Sequence, residues 1–178
     1  MRAAQKLRYR VFVEEMGAVI HTPHYGLDWD EIDDHCDHLI VIDNQTGAIV
    51  GTTRLLNDRQ AKRLGRYYSE GEFGLEGVLG LEGRFLEIGR TCVDRNVRGG
   101  AVLTCLWGVL ADYAAAGGYD YLMAAPASRP APAASPWKRS TNSSPPNNWD
   151  PPASTCSRGY RCLRTCAASG TNAASRRC

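Results

Sequence analysis

No stretch of this chain stays apolar long enough to cross a bilayer, and its opening residues, MRAAQKLRYR, lack the apolar core of a secretory signal. A membrane-spanning or secreted protein is therefore not expected. The phosphate-binding signatures of common nucleotide enzymes are missing too. No Gly-Lys-Ser/Thr follows a glycine loop, and the three-glycine spacing of a dinucleotide fold does not occur. The acids do not fall at calcium-loop spacing, which excludes an EF-hand, and no Cys-x-x-Cys pair is present, which argues against a zinc finger. Cys36, Cys92 and Cys105 form an odd set at unrelated spacing, as suits a reducing cytoplasm.

Apolar residues are scarcest at the C-terminal end. Residues 127–178 contain no Ile, Val, Phe or Met, and Leu163 is their one leucine. That segment holds 8 basic residues against the single acid Asp150, whereas residues 1–126 hold 13 basic and 18 acidic residues. The overall charge of +2 thus hides an acidic body and a basic tail. Such a tail buries too little apolar surface to offset its chain entropy and is expected to be disordered. Its arginines find no supporting basic stripe on the body, so nucleic acid is not an expected partner.

What is present in the body reads as alternating helices and strands. Ala4, Leu7, Val11 and Phe12 trace an apolar stripe on a first helix from about Arg2 to Glu15, with Gly17 as its stop. A polar connection over 18–37 is rich in His and acid. The strands 38–43 and 48–56 are joined by Asn44-Gln45-Thr46-Gly47, a hairpin signal. After a Gly-, Arg- and Glu-rich excursion over 57–84 comes FLEIGRTCVDRNVRGGAVLTCLWGVLADYAAA, a strand, a turn with two arginines and two glycines, and a helix from Ala101 to Gly117-Gly118. One more strand starts at Tyr119. This order implies an α/β or α+β fold with a mixed sheet.

The helix that opens on Gly99-Gly100 points unpaired N–H groups and the positive end of its dipole outward, a favourable place for phosphate. Beside it, Glu87 sits among apolar strand neighbours and needs a partner. It reads either as a general base or as half of an ion pair with Arg90 or Arg54. Asp28, Asp30, Glu31, Asp33, Asp34 and Asp37 read by default as a solvated acidic loop, with a cationic amine as the functional alternative. The His-x-x-His pairs His21/His24 and His35/His38 lack further ligands at familiar spacing, so no metal is expected. Arg8 and Arg10 read as surface arginines with packed stems and hydrated heads.

Taken in order, LRYRVFVEEMGA, DWDEIDDHCDHLIVID, TGAIVGTTRLL and LEIGRTCVDRNVRGGAVLTCLWGVLADYAAAGGYDYL resemble the ornithine Nα-acyltransferases, bacterial ornithine-lipid enzymes often labelled hemolysin-like. These are relatives of the acyl-homoserine-lactone (autoinducer) synthases and share the GCN5-related N-acetyltransferase (GNAT) fold. The resemblance implies a GNAT-like mixed central sheet flanked by helices over residues 1–123. It implies transfer of a 3-hydroxyacyl chain from the phosphopantetheine of acyl carrier protein to the α-amine of ornithine, giving lyso-ornithine lipid. No permanently bound cofactor is implied, and the lipid product allows a peripheral membrane contact.

The resemblance also assigns residues. The Arg and Phe four apart fall on Arg8 and Phe12, the two acids three apart on Asp30 and Asp33, and the hairpin arginine on Arg54. The Glu-x-x-Arg pair falls on Glu87 and Arg90, implied as catalytic. The loop for the carrier phosphate falls on Arg95, Arg98, Gly99, Gly100 and Ala101. Asp30 and Asp33 either hold the substrate ammonium or brace Arg8 and Arg54 in a charge network, and the network is the favoured reading. Ala18 stands where the lactone synthases place an aromatic residue, which favours the ornithine branch. The expected alternatives are an acyl-homoserine-lactone synthase and an inactive pseudogene fragment. The fold is expected to be truncated at both ends, lacking a strand before Arg2, and residues 124–178 read as out-of-frame translation.

Overall fold

The computed structural model describes residues 1–124 and 159–165. Helix α1 (Arg2–Tyr9) runs on into a π-helical turn over Arg10–Glu15. There the Met16 N–H reaches back to Val11 O (3.1 Å), and Gly17, at φ 71°, ends the segment. The expected hairpin forms from β1 (Asp37–Asp43) and β2 (Ile49–Asn57). Its turn is closed by Asp43 Oδ1, which accepts the N–H groups of Gln45 (2.7 Å) and Thr46 (3.2 Å). Side chains alternate as the pleat requires. Leu39, Val41 and Leu55 enter one core, while Ile40 and Ile42 pack on Ala4 of α1 across the sheet.

Within the excursion after β2 lie α2 (Asp58–Leu64) and α3 (Glu76–Leu79), with a 3₁₀ turn at Tyr68–Gly71 between them. Asn57 caps α2 by accepting the Gln60 N–H, and Gln60 answers with its side chain on the Asn57 N–H. Strand β3 (Phe85–Val93) then pairs antiparallel with β2, and α4 (Ala101–Gly117) packs on the sheet face opposite α1. Gly51 permits that packing, because a Cβ there would stand 2.6 Å from Val102 Cγ1. Strand β4 (Tyr121–Ala124) pairs parallel with β3 from Phe85↔Tyr121 to Ile88↔Ala124.

Register along β3 changes immediately past that last pair. Gly89 stands opposite Arg54 and Cys92 opposite Thr52, so Arg90 and Thr91 share one partner, Thr53. This β-bulge holds Arg90 at φ 53°, the left-handed region that costs a non-glycine residue energy. It also reverses the parity of the strand. Leu86 and Ile88 face α4 before it, whereas after it Cys92 packs with Leu7 and Val11 on the α1 side.

The expectation of a disordered tail is corrected at Tyr160–Thr165, which form β5, antiparallel to β1 from His38↔Thr165 to Asp43↔Tyr160. The sheet order is β4-β3-β2-β1-β5. Two forces offset the tail's poor composition here. The outer edge of β1 supplies a ladder of backbone partners, and Cys162 and Leu163 each enter a core on opposite faces. The remaining tail expectations lie outside the described residues. No described helix is long and apolar enough to cross a membrane.

Candidate active site

On the α1 face, three arginines and three aspartates close into a charge network. Arg8, 0% exposed, donates from Nη1 and Nη2 to the two oxygens of Asp33 (3.0 and 2.5 Å) and from Nη2 to the backbone oxygen of Asp28. Arg54 Nη1 donates to Asp30 Oδ1 (2.6 Å) and Asp33 Oδ1 (2.9 Å). Arg90 sits 3.2 Å from Asp28 Oδ2 through Nε and 3.8 Å from Asp30 through Nη2. Gln5 adds a donor to Asp33 (3.0 Å). Asp30 also caps the 3₁₀ helix Glu31–His35, accepting the Asp33 N–H at 3.1 Å, so the acidic loop is folded around the arginines.

Two sequence expectations are corrected here. Arg8 is not a surface arginine, because the acidic loop closes over its head; Arg10 does reach solvent and pairs with Asp94 (3.1 Å). Nor is the acidic loop solvated throughout, since Asp28 and Asp33 are buried against their cations. Burial pushes the Asp33 carboxyl up, but the Arg8 hydrogen bonds and charge, with Arg54 and Gln5, hold it down at about 2. Arg54 is pushed down by burial and is nonetheless raised by Asp30 and Asp33.

Glu87, 3% exposed, forms neither of the expected ion pairs. It accepts the Tyr68 N–H at Oε2 (2.7 Å), the Ser69 N–H at Oε1 (2.8 Å) and the Ser69 hydroxyl at Oε1. Arg90 and Arg54 are drawn to the aspartates instead, and both stack over the Tyr68 ring at 5.3 Å. Glu87 therefore fastens the 3₁₀ turn Tyr68–Gly71 to the sheet. A carboxylate has about four acceptor directions. Three are taken, leaving one on Oε2.

A cavity of about 860 Å³ opens over these groups. Glu87, Gly89, Arg90 and Thr91 form its floor, and Phe12, Leu103 and Trp107 supply apolar wall. Trp107 is 51% exposed and Leu103 42%. These two lie four apart on α4, one turn of a helix. Asp30 and Asp33 do not line the cavity; Arg54, Asp28 and Arg90 do. Burial pushes the Cys36 and Cys92 thiols up to about 12, so neither supplies a thiolate at neutral pH.

At the mouth of α4, Gly100 has φ 94°, a conformation that favours glycine, and a Cβ on Gly99 or Gly100 would meet open space. Arg98 is partly engaged, donating to Glu15 Oε2 (2.5 Å) and Val93 O (3.2 Å), while Arg95 lies exposed. The sequence reading missed Gln5 and Tyr68 as members of this site, and named Asp28 only within the acidic loop. Asp28 and Tyr68 lie in irregular segments where no periodicity marks them, and Gln5 is a helix residue that only the α1 stripe could have flagged.

A family model described as an acetyltransferase (GNAT) domain matches residues 7–108. The L-ornithine N(alpha)-acyltransferase of Rhodobacter capsulatus is 40% identical over 120 residues, covering 64% of this chain and 46% of that protein. The protein of the same name from Rhizobium meliloti is 43% identical over 115 residues, covering 59% and 38%. The chain thus spans less than half the length of these relatives. A solved structure described as a CoA-dependent acyl-homoserine lactone synthase is similar in fold, with a TM-score of 0.53, 22% identity, and coverage of 69% of this chain and 57% of that one.

Proposed function

Because the chain belongs to the acetyltransferase (GNAT) domain family, we propose that it serves an N-acyltransferase that moves a 3-hydroxyacyl chain from acyl carrier protein to the α-amine of ornithine, yielding lyso-ornithine lipid. The acceptor rests on one observation, about 40% identity to proteins named L-ornithine N(alpha)-acyltransferase across most of the described body. The cavity supports the reading chemically. Its apolar wall at Phe12, Leu103 and Trp107 suits an acyl chain, and its floor carries a buried carboxylate with an acceptor direction to spare.

In the proposed reaction the amine nitrogen attacks the thioester carbonyl carbon while Glu87, directly or through one water, takes the amine proton. The tetrahedral intermediate then breaks its C–S bond, the amide forms, and the departing thiolate recovers the proton from Glu87. Backbone N–H groups of β3 near Cys92 are the donors we assign to the oxyanion. Arg95, Arg98 and the amides of Gly99 to Ala101 are assigned to the carrier's phosphate. Arg8, Asp28, Asp30, Asp33, Arg54 and Arg90 serve as the scaffold that fixes the cavity floor.

The test is incubation of the purified chain with 3-hydroxyacyl carrier protein and ornithine, followed by mass spectrometry. The expected product is lyso-ornithine lipid. Formation of an acyl-homoserine lactone when S-adenosylmethionine is supplied, with none of the ornithine product, would replace this reading by the lactone synthase.

A further inference from the structure

The cavity wall contains five charged side chains, Asp28, Arg54, Glu72, Glu87 and Arg90. Four are engaged: Asp28 with Arg8 and Arg90, Arg54 with Asp30 and Asp33, and Glu87 with Tyr68 and Ser69. Glu72 is exposed and makes no side-chain hydrogen bond or ion pair among the described residues. We propose that Glu72 is the anchor for the second cation of a dibasic amino-acid acceptor, a specificity group separate from the reacting centre. The inference deepens the ornithine reading above and rests on it.

Three observations point the same way. First, the cavity's own cations, Arg54 and Arg90, are held by aspartates, so neither is paired with Glu72. An exposed carboxylate bears no desolvation cost while it waits in water. Second, Glu72 is not on a free loop. Its N–H donates to Ser69 O (3.1 Å) at the end of the 3₁₀ turn, and Glu87 holds the start of that turn through Tyr68 and Ser69. The base and the anchor are thus tied to one another by a single short turn, and a ligand with two amino groups on one short chain matches two carboxylates linked that way. Third, the remaining wall near the entrance is apolar, with Met16, Val19 and Ile20, and offers a cation no other partner. A charge-assisted contact discriminates by about tenfold against an isostere that lacks the ammonium.

The experiment compares ornithine with 2-aminopentanoate, which has the same carbon chain without the terminal amine. Equilibrium binding of both is measured by calorimetry on the wild type and on Glu72→Gln in the absence of acyl donor, and acyl transfer to both is measured separately. Melting of Glu72→Gln is expected to match the parent, since the side chain has no partner to lose. The wild type is expected to bind ornithine about tenfold more tightly than 2-aminopentanoate, and Glu72→Gln to bind both alike. Equal binding of the two by the wild type, or an unchanged preference in Glu72→Gln, overturns the anchor whether or not transfer occurs. Cation-dependent binding without acyl transfer to ornithine upholds the anchor and sinks the proposed reaction alone.

Discussion

Arg8 and Asp33 meet as a two-pronged pair, Nη1 to Oδ1 at 3.0 Å and Nη2 to Oδ2 at 2.5 Å, and neither side chain is exposed to solvent. The parallel fork is the strong form of an arginine–carboxylate contact. It joins α1 to the loop before β1, and through Asp33 it reaches Arg54 on β2. Such a pair is a weak source of net stability, yet losing one member is severe, because the other is left charged and dry.

Arg54→Ala should therefore lower the unfolding free energy by about 3–5 kcal/mol, by stranding Asp30 and Asp33. Chemical denaturation of the variant and parent checks this. An unchanged denaturation midpoint contradicts the network as a structural unit. Adding Asp33→Asn to Arg54→Ala should cost less than the two single losses summed, since the stranded charge is removed along with its cation.

Glu87→Gln should reduce kcat by about 10²–10⁴-fold, the range of a positioned acid–base group. The substitution also turns an amide NH₂ toward the Tyr68 or Ser69 N–H, costing about 1–3 kcal/mol of stability. Ser69→Ala separates the two effects: it removes the hydroxyl bond but keeps the carboxylate. Loss of rate in Glu87→Gln well beyond that in Ser69→Ala, at matched folded fraction, is the expected outcome. Parent-rate acylation by Glu87→Gln would rule out the base.

Acid should unfold the domain in two stages. Burial holds the His38 ring at about 4, below its free value of 6.5, with Nε2 3.2 Å from Asp33 O. Its neutral form is the one the fold accepts, so this contribution is complete above pH 6.5 and is lost as pH falls toward 4, about 3 kcal/mol in all. Asp33, lowered from 3.8 to about 2, contributes stability that is complete above pH 3.8 and is lost below it. Stability measured between pH 7 and 4 should fall in the parent and stay nearly flat in His38→Asn. Parallel pH profiles for the two proteins would refute the assignment.

Gly51→Ala should destabilise by about 1–3 kcal/mol, because its methyl group would be driven into Val102 on α4. Val102 is β-branched and fully buried, so it has little room to yield. Thermal melting of the single variant is sufficient. Val102→Ala in the same chain should recover part of the loss.

The elements with a strong period or strong punctuation were readable from the residues. Asn44–Gly47 announced the hairpin, and Gly99-Gly100 and Gly117-Gly118 bracketed α4. The charge network was readable only by resemblance, since nothing in the spacing of Asp30 and Asp33 says that Arg8 and Arg54 will lie against them. The partner of Glu87 was illegible for a different reason. Backbone amides carry no sequence signature, so a search among side chains could not find Tyr68 N–H and Ser69 N–H. Strand β5 escaped because pairing to β1 depends on an edge made elsewhere in the chain, and its own composition argued for disorder.

The inserted residue in β3 has a consequence for how this protein tolerates change. Upstream of Arg90 the odd-numbered Glu87 belongs to the α1 side; downstream the even-numbered Cys92 does. Deleting either Arg90 or Thr91 would restore an uninterrupted zigzag with one residue opposite Thr53, and would leave Cys92 and Val93 in the compartments they already occupy. The extra position can thus be lost without exchanging the two hydrophobic interiors, and replacing either residue by another leaves the phase intact as well.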